Sequence, residues 1–333
     1  MSVLDTQYPN LLDWANHFGP DGKEAKVADI LMQTNEVMPY IVFGEGNLPT
    51  GNKSFVQTGY PEPTWRKMYG YTQPTKGSQA AVTDNCGMLD DYAEVDKKQY
   101  ELNGSSDAWR IRQDKVHLIG MNQKFMRYFL YGNEATEPEA ITGLAPRFNS
   151  TTAANGDNII VGDGLIGDTG ALTSIWLVCF GLDTVFCPFP KGSKAGIQIE
   201  NLGQQTKTNS EGGMMEVLRS HYTWDVGLSV IDWRYIIRIP NIKVSALTHN
   251  AASGAALLRL MTRASEYLPE APMGKPVFMM NKKVRAFLRE QKIAAVAGST
   301  LTTETVAGKR VTMFDEIPVC RCDAILNTEA FVG

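Results

Sequence analysis

The sequence predicts an α+β fold, with sheet and helices segregated along the chain rather than alternating. Three features point there. One helical period runs unbroken from Asp107 to Tyr131. Strand-like apolar runs, Ser174 to Phe180 and Thr184 to Phe189, precede a period-2 alternation at Tyr222, Trp224, Val226, Leu228 and Val230. Two further helical stretches, Ser253 to Tyr267 and Lys282 to Ala295, come only after those strands. A chain of 333 residues is long enough for two lobes or one elaborate domain with a substantial core.

Composition narrows the function. Lys and Arg number 32 against 36 Asp and Glu, a net charge of −4, which creates no long-range field toward a polyphosphate and argues against a dedicated nucleic-acid reader. The stretch around Ile175 to Phe180 is far shorter than the ~18–20 residues of a membrane helix. The start Met1-Ser2-Val3-Leu4-Asp5 lacks the basic-then-apolar plan of a signal peptide, so a soluble chain not exported by that route is expected. Five cysteines, Cys86, Cys179, Cys187, Cys320 and Cys322, are odd in number and sparse, which predicts free thiols rather than a disulfide framework.

Taken in order, Glu24 to Met38 carries Val27, Ile30, Leu31 and Val37 at roughly helical spacing before Pro39, predicting a short helix. From Gly44 to Gly104 the texture changes to Gly, Pro, Thr and Gln with recurring aromatics: Phe55, Tyr60, Trp65, Tyr69 and Tyr71. Lys53 to Thr58 and Thr64 to Tyr69 read as short strands. About sixty residues without a core pattern exceed an ordinary connection, which implies a functional arm or a region that packs on something else.

Ser105 or Ser106, with Asp107 behind it, opens the long helix. Ile111, Leu118, Met121, Phe125 and Phe129 form its apolar face, and Gly132-Asn133 is its stop. At 1.5 Å per residue it spans ~37 Å, well beyond the mean helix.

A Gly/Asn/Thr-rich link, Phe148 to Asp157, leads to the strands. Gly181-Leu182-Asp183 reads as a hairpin turn between the two apolar runs. After Val230 the alternation moves to odd positions, Trp233, Tyr235, Ile237 and Ile239, so one extra residue at Ile231-Asp232 must be absorbed by a bulge or bend. Pro276 to Met280 is a short strand between the two late helices, Asn281 an N-cap, and Val311 to Phe314 with Ile317 to Leu326 close the chain as strands.

Motifs for catalysis are weak. Gly162-Asp163-Gly164-Leu165-Ile166-Gly167 has the glycine spacing of a dinucleotide turn, with Asp183 about 20 residues on. It leads within a few residues into the Ile175 run, leaving no room for the ~10–12-residue crossover helix on which a pyrophosphate would sit. Cys320-Arg321-Cys322 lacks zinc-ligand spacing and a second ligand pair; on a strand its thiols share one face and fill a core edge. His17, His117, His221 and His249 are scattered. Asp90, Asp91, Glu94 and Asp96-Lys97-Lys98 read as a solvated charged face. No catalytic residue, cofactor or metal ligand is assigned.

Several segments together resemble one family, the major capsid proteins of tailed double-stranded DNA bacteriophages, in particular those of epsilon-15-like short-tailed phages. They are Pro190-Lys191-Gly192-Ser193-Lys194-Ala195-Gly196, Tyr222-Thr223-Trp224-Asp225-Val226-Gly227-Leu228 with Asp232-Trp233-Arg234-Tyr235, and the ending Ile317 to Leu326. The resemblance covers most of the chain and is most specific over 170–330. It implies the Hong Kong 97-type capsid fold. Its parts would be an N-terminal arm (1–43), an E-loop region (44–104), a spine helix with part of the peripheral domain (105–150), and an axial domain with the remaining peripheral strands (151–333). Connectivity is left open, because proteins of this fold can differ in it.

The resemblance further implies a shell protein that self-assembles as hexamers and pentamers into an icosahedral head. A separate scaffolding protein, a portal at one vertex, a cement or decoration protein outside, and packaged DNA contacted without base reading complete its partners, with no membrane. Residues 1–43 carry no sustained heptads that could act as a built-in scaffold. Phe55, Trp65, Arg66, Lys67, Tyr69 and Tyr71 become expected contacts between subunits. Lys53, Lys67 and Lys76 lie in the same region, and no isopeptide cross-link is expected of them. Two other readings stand beside this one: a nucleotide-binding enzyme using the turn at Gly162, and a minor virion or decoration protein.

Overall fold

The structure, a computed structural model, describes residues 35–333 other than 169, 209–211, 248–250, 270–273, 294–300 and 307–308. The predicted helix at Glu24 to Met38 lies mostly outside these residues. Its described end is not α-helical: Asn35 bridges Cys322 and Met38–Tyr40 is a 3-10 turn.

Two sheets organise the described chain. The smaller has the order β2-β3-β7-β6, antiparallel throughout, from β2 (Gly51–Gly59), β3 (Ser78–Asp96), β6 (Gln198–Thr208) and β7 (Met214–Gly227). The larger runs β1-β5-β4-β10-β13-β12-β11, from β1 (Phe43–Glu45), β4 (Leu172–Phe180), β5 (Val185–Phe189), β10 (Lys275–Met280), β11 (Leu301–Val306), β12 (Lys309–Phe314) and β13 (Ile317–Arg321). In it β8 (Ser229–Val230) pairs with β5, and β9 (Ile236–Lys243) with β4.

Strand β4 shows why the sequence there is continuously apolar: all nine of its residues are buried. Trp176, Val178 and Phe180 face one way, into a core with Phe125, Phe129 and Leu130 of the long helix α2 (Asp107–Tyr131). Ile175 and Leu177 face the other, toward Leu257, Met261 and Ala264 of α4 (Ala251–Tyr267) and Val284, Phe287 and Leu288 of α5 (Lys282–Ile293). A strand covered on both faces has no polar side to alternate with. Asn281 caps α5 as predicted, its Oδ1 accepting from Lys283 N at 3.1 Å.

Helix α2 has the predicted bounds, but its apolar stripe is covered only in its second half. Met121, Phe125, Met126, Phe129 and Leu130 are buried, whereas Ile111 is 67 % exposed. Near its start α2 is held by polar contacts instead. Arg110 Nη2 donates to Asn201 Oδ1 at 2.9 Å and Ser220 Oγ at 2.8 Å, and Trp109 is the buried aromatic. Gly132 ends the helix through close approach rather than a left-handed turn. Its φ is −56°, and a Cβ there would lie 2.3 Å from the Ile141 carbonyl oxygen.

A buried ionic network ties this end of α2 to the larger sheet. Arg238 on β9 and Glu329 in the C-terminal segment, their side chains each 4 % exposed, pair at 2.8 Å. Tyr131 and Ser174 hydroxyls also donate to Glu329. Arg238 donates to the Phe148 carbonyl at 2.7 Å and lies 4.9 Å from the Trp176 ring centroid. Burial, then the neighbouring Glu329 charge, pushes the Tyr131 phenol well above its ordinary value, so it stays a donor.

Four strand expectations are corrected. Ser174 to Phe180 and Thr184 to Phe189 are not a hairpin, since β4 and β5 meet only in a parallel bridge, Phe180 to Val185, and β5 pairs with β1 and β8. Trp233–Tyr235 is a 3-10 turn opened by Asp232, which accepts from Arg234 N; this turn, not a bulged strand, absorbs the parity switch. The final strand stops at Arg321, where Arg321 and Asp323 pair and Cys322 begins a turn. Thr64 to Tyr69 forms no strand, for a reason given by the hairpin itself.

Candidate assembly interface

Strands β2 and β3 form a hairpin whose register runs from Gly51 opposite Asn85 to Gly59 opposite Ser78. Nine residues of strand span roughly 30 Å. The alternation along β2 places Lys53 and Phe55 outward, with Asn52 and Ser54 buried. Lys53 Nζ stands 5.8 Å from the Phe55 ring centroid.

The root of the hairpin is a buried polar knot. Asp84, its side chain 2 % exposed, pairs with Arg147 at 2.8 Å and accepts from Ser229 Oγ at 2.9 Å and Val230 N at 3.2 Å. Asn52 Nδ2 donates to the same Ser229 hydroxyl at 3.0 Å. Both strands of the hairpin are thus tied to β8 and to α3 (Leu144–Arg147). Sequence reading assigned Asp84 nothing, because its partners lie far away along the chain.

Between the strands, residues 60–77 make no ladder. Pro61, Pro63 and Pro74 each remove a backbone donor and fix φ, which forbids the strand that the aromatics suggested at Thr64 to Tyr69. A single turn, Gly70 N to Lys67 O at 3.0 Å, puts Tyr69 at φ 61°. Trp65 and Tyr71 are 104 % and 101 % exposed, and Tyr60, Met68 and Tyr69 are also open to solvent. Arg66 and Lys67 are exposed beside them. Of the six expected contact residues, the structure brings Trp65, Arg66, Lys67, Tyr69 and Tyr71 together at the tip. Phe55 sits lower, on the outward face of β2. A contiguous exposed aromatic patch of this kind marks an interaction surface.

The acidic residues expected to be merely solvated are largely paired. Asp91 meets His117 of α2 at 2.7 Å, and Asp96 caps α1 (Lys97–Leu102) by accepting from Lys98 N at 2.6 Å. Glu94 holds Arg219 at 2.7 Å and also Lys207. Its neighbours Tyr92 and His221 stack with centroids 4.2 Å apart. Burial pushes the Glu94 carboxyl up, but hydrogen bonds from Lys207 and Arg219 and their charges outweigh it, and its pKa is lowered. This contribution to stability is full above the ordinary carboxylate pKa of about 4.3 and is lost as pH falls through the lower folded value. A Glu94→Gln variant should therefore lose less stability than the parent between about pH 5 and pH 3 in urea titrations. Equal losses in the two chains would show that these ion pairs contribute nothing.

Chemistry elsewhere is sparse. After Gly167 comes only the 3-10 turn Ile166–Asp168 before β4, with no crossover helix. The glycines there let the backbone run against β9: Gly164 N donates to Asn241 O at 2.7 Å, and a Cβ would approach that oxygen to 2.5 Å. The five cysteines are free. Burial pushes the Cys320 and Cys322 thiols up to about 12, as core-filling thiols require. Among the described residues no cluster could hold a metal, and no helix is long and apolar enough to cross a membrane.

A long hairpin with an uncovered aromatic tip, a 25-residue helix on a four-stranded sheet, and a second sheet flanked by helices define a shell-building capsid subunit. The chain belongs to the major capsid protein GP7 family, whose model matches residues 19–333. It is similar to the capsid chain in a cryo-EM-derived structure of bacteriophage Epsilon15, at 33 % identity and a TM-score of 0.76, covering 100 % of this chain and 99 % of that one. It is also similar to the bacteriophage JBD30 capsid, at 9 % identity and a TM-score of 0.49, covering 89 % of this chain and 93 % of that one. No curated protein sequence matches. The fold is the Hong Kong 97-type α+β capsid fold, and the protein is a major capsid protein of a phage virion that self-assembles into shell oligomers.

Proposed function

We propose that the hairpin is the E-loop of this shell protein and that Phe55, Trp65, Arg66, Lys67, Tyr69 and Tyr71 are buried against a neighbouring subunit when hexamers and pentamers form. The observation that carries this is the complete exposure of Trp65, Tyr69 and Tyr71 on a hairpin with a firmly anchored root. Apolar area left in water is an unspent driving force of ~25 cal/mol per Å². Closed shells made from one chain must bring the same patches together in slightly different settings, which an extended hairpin tolerates better than a deep rigid interface.

In this reading residues 1–43 are an arm, 44–104 the E-loop region, 105–150 the spine helix with part of the peripheral domain, and 151–333 the axial domain with the remaining peripheral strands. Assembly takes place in the host cytoplasm around a separate scaffolding protein. A portal occupies one vertex, a cement protein binds outside, and double-stranded DNA is packed against the shell without base reading, in keeping with the net charge of −4. The chain itself performs no catalysis. Sedimentation and negative-stain imaging of the purified chain, with and without co-expressed scaffolding protein, test the reading. Shells or sheets of capsomers are expected, and a homogeneous monomer or small oligomer under both conditions would sink it.

A further inference from the structure

We propose that the receptor for the hairpin tip is a groove on a second copy of this chain, between α2 and the segment 133–143. This rests on the assembly reading above and names the surface that the tip meets. The groove has a volume of about 430 Å³, many times the ≈30 Å³ share of a water molecule and room for an aromatic side chain. Leu89, Phe125, Tyr128, Ile141 and Val226 line it, and Met88, itself exposed, stands at its mouth.

Charge complements shape. Segment 133–143 carries Glu134, Glu137 and Glu139 and no basic residue, whereas the tip 60–77 carries Arg66, Lys67 and Lys76 against Glu62. Glu137 accepts from Tyr128 Oη at 2.6 Å, and Glu134 accepts from Asn85 Nδ2 at 2.5 Å, so this acidic rim is held in place at the groove. Aromatic rings flanked by cations, facing an apolar slot flanked by carboxylates, are matched in sign as well as in polarity.

Reach decides whose tip it is. The groove touches β3 at Gly87 to Leu89, while the tip begins beyond Ser78. Ten residues of strand between Ser78 and Met88 separate the two by roughly 33 Å. The β2–β3 ladder holds that distance, and Trp65, Tyr69 and Tyr71 stay fully exposed on their own chain. The occupant therefore comes from another copy.

The test uses assembled shells of the full chain doped with a minority of subunits that carry photoreactive p-benzoylphenylalanine in place of Trp65, the two populations isotopically distinct. Cross-links from position 65 to residues 124–141 of a different copy are expected. Cross-links to another patch of a different copy would overturn the groove while leaving assembly through the hairpin standing. Cross-links confined to the same chain, or none in intact shells, would overturn both. As a second arm, Glu139→Lys should abolish shells and Lys67→Glu should restore them in the same chain. Normal shell yield from Glu139→Lys alone would count against the groove.

Discussion

A Trp65→Ala/Tyr69→Ala chain is expected to fold like the parent and yet form no shells. Both side chains are fully exposed, so removing them changes the subunit's own stability by no more than about 0.5 kcal/mol, as for surface positions generally. Assembly is different. Aromatic side chains bury ~150–250 Å² each, so the pair carries roughly 8–12 kcal/mol of gross transfer free energy per contact at ~25 cal/mol per Å². Association and ordering costs consume much of that, but every 1.4 kcal/mol lost is about tenfold in each subunit equilibrium, multiplied over many contacts in a shell. Circular dichroism and thermal unfolding should match the parent, while sedimentation should show subunits in place of shells. Conservative Trp65→Phe should retain particles. Shells at parental yield from the alanine double variant would remove the tip from the assembly interface.

The largest effect on the subunit itself is expected at Glu329. In a Glu329→Ala chain the Arg238 guanidinium stays buried without its carboxylate, and the Tyr131 and Ser174 hydroxyls lose their acceptor. Removing one member of a buried ion pair costs about 3–5 kcal/mol, because an uncompensated charge is left in a low-dielectric site. That is a large share of the ~5–15 kcal/mol by which a domain is stable. The loss should be read as a lower urea midpoint with an unchanged slope. Replacing Arg238 and Glu329 together by apolar residues should cost much less than the single change, since the desolvation penalty disappears along with the attraction. A shift below about 1 kcal/mol for Glu329→Ala would mean that water reaches the pair and the network is not a structural tie.

Much of this fold was legible because local periodicity is set by residues close in sequence. Helix α2 has the bounds its pattern predicts, and β4, β10, α4 and α5 fall close to theirs. Strands β6 and β11 were missed for complementary reasons. Strand β6, Gln-rich and open to solvent along most of its length, shows no apolar alternation to detect, and Leu301–Val306 is a run of threonines around Glu304. The reading of Thr64 to Tyr69 as a strand gave weight to β-prone aromatics over the three prolines around them, and the prolines prevailed. For the candidate site, the aromatic and cationic residues of the tip were legible as an anomaly, a region rich in large apolar side chains without a core to bury them. The root at Asp84 and the groove at 133–143 were not, since each draws on segments distant in the chain.

By itself, then, the sequence determined where helices and strands run, that the chain lacks the constellations of an enzyme, and that its arm carries more aromatic surface than a free subunit can bury. Tertiary structure decided which face of each element is covered. It left Ile111 exposed on the stripe that buries Phe125 and Phe129. It also paired Arg238 with Glu329, 91 residues apart, and anchored the hairpin through Asp84 and Arg147. The physical reason is range. Backbone periodicity arises from neighbours three or four residues away, whereas burial, ion pairing and close backbone approach depend on which distant segments meet.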